Sequence, residues 1–262
     1  MKSDGVILYQ STALLVFQRQ GSDWQLREQF TVDEEGQQRF SLWWQQQAVQ
    51  VYTVLFDIPE EDFSREALPH AMGAARQRMV QRKLEQLYRG HPLRLAVRQT
   101  RQAEGRRDDA YLMSALPQHH TVLMAWLALW TQLQVPIARI ISIPYALQAG
   151  FLHLHKSNTP ITGGAVLWVI MQEQRLRQIV CLNGQLHFCR SSVLPVGADA
   201  QTVVAEVRLS LQFFSGIKDL VWPSPIPVML LGDASSCLEA AAQQLQQDSP
   251  LCVQYWRTEL LD

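Results

Sequence analysis

Residues Ala165 to Ser191, AVLWVIMQEQRLRQIVCLNGQLHFCRS, decide the fold. Ala165 to Met171 is an unbroken apolar run, and Leu176 to Leu182 is a second. Asn183-Gly184 is the dipeptide that best closes a two-residue hairpin, because both central positions of that turn need positive φ. Gln185 to Ser191 then returns as a third strand, completing an antiparallel meander. Downstream, Asp199 to Phe214 is helical and Ile226 to Leu231 is a buried-type strand ending at Gly232-Asp233. Ser235 to Gln246 is an Ala/Gln helix, and Leu251 to Trp256 is a last strand. The order is βββαβαβ.

The same order opens the chain. Val6 to Leu8, Ala13 to Phe17 and Trp24 to Phe30 are short β-type runs separated by turn residues. Gly36 to Gln47 follows as a Gln-rich, Trp-bearing helix, and Val49 to Ile58 is a strand closed by Pro59. Ser64 reads as an N-cap for one or two amphipathic helices reaching Arg89. Leu93 to Gln99 and Tyr111 to Leu116 read as strands around a charged loop, Gln102 to Asp109. A helix over about Gln118 to Leu133, a strand Ile137 to Ile143 and a helix Tyr145 to His155 complete this half. Turn signals then cluster at Thr159 to Gly164. The expected organisation is therefore two lobes, 1–160 with a variable basic insert near 60–109, and 161–262. The halves share element order without a residue-level repeat.

Composition bounds the rest. The chain has 262 residues, 47% hydrophobic and 18% charged, enough to bury a sizeable core and to exclude disorder, collagen and coiled coil. A net charge of -1 argues against a globally nucleic-acid-binding protein. The longest apolar run, Val122 to Trp130, is too short for a membrane span, which needs about 20 residues. No signal-peptide pattern follows Met1. Cys181, Cys189, Cys237 and Cys252 lack zinc-site spacing and are expected reduced. An unbroken hairpin register would set Cys181 opposite Leu186 and Cys189 opposite Gln178, on opposite faces.

Two meanders, each continuing into a mixed sheet flanked by helices, suggest a duplicated ribonuclease H-like unit. Three stretches then carry a resemblance. Ala205 to Phe214 (AEVRLSLQFF) resembles the helix of PilM-type pilus-assembly proteins, which runs Glu-Ile-Arg, a variable residue, Ser-Leu and then aromatics. Asn183 to Arg190, a hairpin leading to an arginine, is similar to that family's second meander. Val228 to Gly232 resembles its strand before the adenosine-side glycines. The cytoplasmic domain of GspL-type type II secretion proteins is similar in architecture. The resemblance implies a two-lobed actin-like α/β fold, with nucleotide between the lobes in active members.

Measured against that pattern, the nucleotide loops depart. Actin-like ATPases carry Asp-x-Gly at the first turn of each half, the carboxylate organising Mg²⁺ and the glycine admitting phosphate. Here the first turn is Leu8 to Ala13 without Asp or Gly, and the second is Val169 to Gln174 with Glu173 alone. The adenosine position keeps one glycine, Gly232. These departures imply a vestigial cleft near Gln10, Met171 and Gly232, with no bound cofactor, metal or catalytic residue. The leading expectation is a non-enzymatic scaffold of a bacterial type IV pilus or type II secretion-like platform, cytoplasmic at the inner face of the inner membrane. The alternative is an active ATP-binding actin-like or sugar-kinase-like enzyme with drifted motifs. A ribonuclease H-like nuclease would need three or four clustered carboxylates, which the first strands lack.

Other chemistry-bearing residues point to no catalysis. His153 and His155 on a helix would diverge by about 200° and share no metal. His119-His120 read as exposed at a helix start. Glu60-Glu61-Asp62 reads as a solvated turn entering a helix, and Arg106-Arg107-Asp108-Asp109 as an exposed loop. The charge is asymmetric: Arg76 to Arg107 holds ten basic residues against Glu85 and Glu104, a local +8 that leaves -9 elsewhere. That segment reads either as an ordinary solvated helix face or as a docking surface. With Tyr88 its only aromatic, it favours a protein partner or anionic membrane surface, through Arg78, Arg82 and Arg89, over nucleic acid. A homodimer stays open.

Overall fold

A computed structural model describes residues 4–21, 23–48, 50–101, 108–116, 121–148, 165–172, 174–215, 224–232, 237–248 and 251–257. In chain order the first elements are β1 (Gly5–Gln10), β2 (Ala13–Gln20), β3 (Asp23–Thr31), α1 (Glu34–Trp44) and β4 (Tyr52–Asp57). Next come β5 (Asp62–Pro69), α2 (Gly73–Leu87), β6 (Arg94–Arg101), β7 (Asp108–Ala115), α3 (Thr121–Gln132) and β8 (Ile137–Ser142). The second meander is β9 (Ala165–Gln172), β10 (Arg175–Leu182) and β11 (Gln185–Val193). It is followed by α4 (Ala200–Ser215), β12 (Ile226–Gly232), α5 (Leu238–Leu245) and β13 (Leu251–Arg257).

Two five-stranded sheets share one strand order, β3-β2-β1-β4-β8 and β11-β10-β9-β12-β13. In each, the first strand pairs antiparallel with the second and parallel with the strand that follows the helix. The repeated βββαβ reading is therefore what the backbone does. A third sheet, β5-β7-β6, is inserted between β4 and β8. The chain divides into two compact units, one of Met1–Asp62, Val80–Leu95 and Ser114–Ala146, the other of Phe63–Met79, Ala96–Met113 and Leu147–Asp262. The turn cluster at Thr159 to Gly164 lies outside the described residues, as do His119, His120, His153 and His155.

In the first unit, α1 begins where Asp33 accepts from the Gly36 amide at 2.9 Å and from the Thr31 hydroxyl at 2.6 Å. These bonds, the Thr31 one foremost, hold the Asp33 carboxyl below its usual range. A Cβ on Gly36 would sit 1.8 Å from the Thr31 carbonyl oxygen, so only glycine fits there. The helix seats Phe40 edge-on against Phe30 (5.3 Å, 75°) and Trp126 of α3 (5.4 Å, 81°). Such pairs contribute about 0.5–1.5 kcal/mol each beyond their buried area. Trp126 also donates its indole N–H to the Val32 carbonyl at 2.8 Å.

In the second unit, α4 and α5 cover one face of the sheet, with Val203, Val207 and Leu245 against Leu167, Val180 and Leu230. Asp199 accepts from the Thr202 amide at 2.9 Å at the start of α4. Asn183 and Gly184 take φ of 51° and 72°, as their hairpin requires.

Four sequence expectations need correction. Residues 62–69 form a strand where a helix start was expected, and Ser64 is no cap, since its hydroxyl donates to Glu66. The acidic turn at Glu60-Glu61-Asp62 accordingly enters a strand, with Glu61 half-buried. Asp109 is buried, meeting His70 at 3.0 Å and Arg98 at 3.6 Å, so its charge is used within the small sheet rather than on an exposed loop. The β10–β11 register shifts at Val180/Cys181, pairing Cys181 with Leu186 but Cys189 with Ile179. His187 is the extra residue of this bulge, and it moves Cys189 to the face that carries Cys181. All four cysteines are free.

Candidate functional site

The residues expected at a nucleotide cleft lie at strand ends. Gln10 is the last residue of β1, half-buried and in register with Asp57 of β4. In the second unit Met171 packs against the apolar cluster beneath α4 and α5. Gly232 ends β12, buried, its carbonyl accepting from the Tyr255 hydroxyl at 3.5 Å. Two charged residues of the helix that carries the resemblance are engaged, while the Ser210 hydroxyl is buried without a partner among the described residues. Glu206 accepts from Arg190 at 2.5 Å and from Ser192 at 3.0 Å, while Arg208 holds Asp248 through two bonds of 2.8 Å. Nothing in this geometry leaves a carboxylate at the Ser11-Thr12 turn to organise a metal-bound phosphate, since neither residue carries one.

The first unit contains a groove that the sequence did not announce. It has a volume of about 190 Å³. One wall is Ile140, Ile141 and Ser142 on β8, the last strand of its sheet; the other is Leu93 to Leu95 at the start of β6, the last strand of the small sheet. Phe56 and Leu116 supply further apolar lining. Ile140 and Leu95 are 45% and 42% exposed, so the groove opens to solvent along two apolar lips.

Its walls are fixed from behind. Leu116 donates its amide to the Leu93 carbonyl at 3.0 Å, and His91 Nδ1 donates to the Leu116 carbonyl at 2.8 Å. Arg94 donates to Glu85 at 2.5 Å and to the Tyr88 carbonyl at 3.3 Å, so its guanidinium is already committed. The Arg94 bond holds Glu85 below the usual carboxylate range. Tyr145 donates to the Ser114 hydroxyl at 3.4 Å. The Ser142 hydroxyl is buried and has no partner among the described residues, which leaves it available to a polar group entering the groove.

A strand that ends its sheet presents a row of backbone donors and acceptors, and an apolar slot beside it gives alternate side chains somewhere to go. That is the arrangement by which extended peptides are captured by strand addition. The signal in the sequence was the adjacent pair Ile140-Ile141, apolar on both faces of what proves to be an edge strand. The expected docking arginines are elsewhere: Arg78 and Arg82 are exposed on α2, and Arg89 is exposed just beyond its end.

No family model matches this sequence, and no curated protein matches it. Solved structures do. The chain is similar to one in a PilM–PilN type IV pilus biogenesis complex, at 13% identity and a TM-score of 0.67, over 97% of this chain and 88% of that one. It is similar to a Bacteroides thetaiotaomicron protein of actin-like ATPase fold and unknown function, at 9% identity and a TM-score of 0.55, over 96% and 90%. The cytoplasmic domain of Vibrio cholerae EpsL, an inner-membrane component of the type II secretion system, matches at 12% identity over 98% and 86%, with a TM-score of 0.48. The fold is the actin-like ATPase fold. That fold serves enzymes and scaffolds alike, so function rests on the site.

Proposed function

We propose that this chain is a non-enzymatic actin-like scaffold that holds an extended apolar segment of a partner protein in the groove between β8 and β6. Its setting is a type IV pilus or type II secretion-like assembly platform, at the cytoplasmic face of a bacterial inner membrane. The two lobes of this reading are 1–160 and 161–262, with the cleft near Gln10, Met171 and Gly232 vestigial. The observation that carries it is the groove, mostly apolar, open along two sheet-terminal strands and lined by the orphan Ser142 hydroxyl as well as by Glu61 and Arg94. Support comes from the turn after β1, Ser11-Thr12, which offers neither the carboxylate nor the glycine of a working phosphate loop. It also comes from the likeness to the PilM–PilN complex, in which a chain of this fold assembles with a protein partner.

The experiment is a binding titration with overlapping peptides covering the pilus and secretion platform proteins encoded in the same genome. Seating two Leu-sized side chains is worth about 3–6 kcal/mol in total before ordering costs, which alone reaches no tighter than tens of micromolar, so the backbone bonds of an added strand must supply any affinity beyond that. Ile140→Asp puts a charge on the lip and should weaken that peptide by about 30-fold or more. Ile140 is half-exposed, so the melting temperature should hold. Binding that survives Ile140→Asp, or a full panel without a binder, refutes the reading.

A further inference from the structure

Apart from Glu85, which holds Arg94 of the groove wall, the polar face of α2 takes no part in the groove. Its exposed positions are Gly73, Ala74, Ala75, Gln77, Arg78, Gln81, Arg82, Glu85 and Gln86. Arg78, Arg82 and Glu85 recur at spacings of four and three, so they form one stripe along the helix. The single acid of that stripe is neutralised by Arg94, which reaches over from β6 to bond it. Arg89 extends the stripe past the helix end and adds its own pull on Glu85. The ion pairs among the described residues leave Arg78, Arg82 and Arg89 out. A row of uncompensated guanidiniums about 16 Å long results, at 1.5 Å rise per residue.

We propose that this row docks the protein onto an anionic lipid surface, and this stands independently of the groove reading. Three features choose lipid. A protein interface of useful strength has an apolar, desolvated centre, whereas the exposed face here is arginine, glutamine, alanine and glycine, with Glu85 already paired to Arg94. Sequence-tolerant binding of single-stranded nucleic acid stacks bases on exposed aromatics, and the one aromatic at this helix, Tyr88, is 3% exposed. A sheet of phosphate headgroups needs neither: it meets a straight row of guanidiniums all at once, through charge and paired N–H donors.

The test floats the full chain with vesicles of phosphatidylcholine alone and with vesicles containing phosphatidylglycerol. Binding is expected only to the latter at about 0.15 M salt, and should vanish near 1 M as the Debye length falls to about 3 Å. The triple variant Arg78→Glu, Arg82→Glu, Arg89→Glu should lower partitioning by roughly a hundredfold. Its melting temperature should match that of the parent, since all three side chains are solvated. The Ile140→Asp protein should bind vesicles like the parent, which separates this proposal from the groove. Absent binding to anionic vesicles, binding that survives the triple reversal, or tighter binding to a single-stranded RNA oligonucleotide or to polyglutamate than to vesicles each overturns it.

Discussion

Gln178 sits on β10 between Leu176 and Val180, on the face that α4 covers, and is 0% exposed. Neither its amide nitrogen nor its carbonyl oxygen has a partner among the described residues. Its cross-strand neighbour Arg190 is committed to Glu206. A buried amide left unpaired costs about 1–3 kcal/mol, and the cost disappears if the group is replaced by an apolar one of similar shape. Gln178→Met keeps the chain length, and volume-conserving core swaps lose less than about 1.5 kcal/mol in packing. The net expectation is a gain of about 1–2 kcal/mol, or a rise of about 2–8 °C in melting temperature at this chain length. Urea titration followed by tryptophan fluorescence measures it, with Gln178→Ala as the cavity control, which should lose stability. If Gln178→Met is less stable than the parent by more than about 1 kcal/mol, the amide is bonded in the folded protein and the reasoning fails.

Two further outcomes are expected. Calorimetric titration with Mg-ATP should show no saturable heat; a micromolar Kd, about 8 kcal/mol of binding, would overturn the non-enzymatic reading. His187 Nε2 accepts from Arg65 at 2.7 Å, and burial, reinforced by that guanidinium, pushes its pKa below 6.5. Between that lowered value and about 6.5 the unfolded chain binds more protons, so stability should rise with pH there and level off above. His187→Gln should flatten the dependence, read as the urea midpoint across that window, and an unchanged slope would contradict it.

Elements whose cues are local were legible in the sequence. Asn183-Gly184 dictates positive φ at two successive residues, so the turn between β10 and β11 could be placed to the residue. What escaped is set by distant neighbours. Residues 62–69 alternate too weakly to announce a strand, and they pair only because β7 lies beside them. Asp109 looked solvated amid its charged neighbours, and its burial depends on His70 and Arg98 converging from β5's end and β6. The bulge at His187 has no signature of its own, and its side chain is taken up by Arg65 from another sheet. The groove is the extreme case, because Ile140 and Leu95 become its two lips only when segments far apart in sequence fold together within the first unit.

The insertion between β4 and β8 also governs how the chain must be made. Tyr52 through Phe56 find their outer partners only at Ile137 through Ser142. The intervening stretch must leave the ribosome first, which at 5–20 residues per second takes on the order of 4–16 s. Throughout that interval the nascent N-terminal sheet carries an open margin flanked by Tyr52, Val54 and Phe56, aromatic and β-branched, the composition most prone to pairing with a stranger. Synthesis of this protein therefore contains a built-in waiting period, during which the edge that β8 later covers stays open.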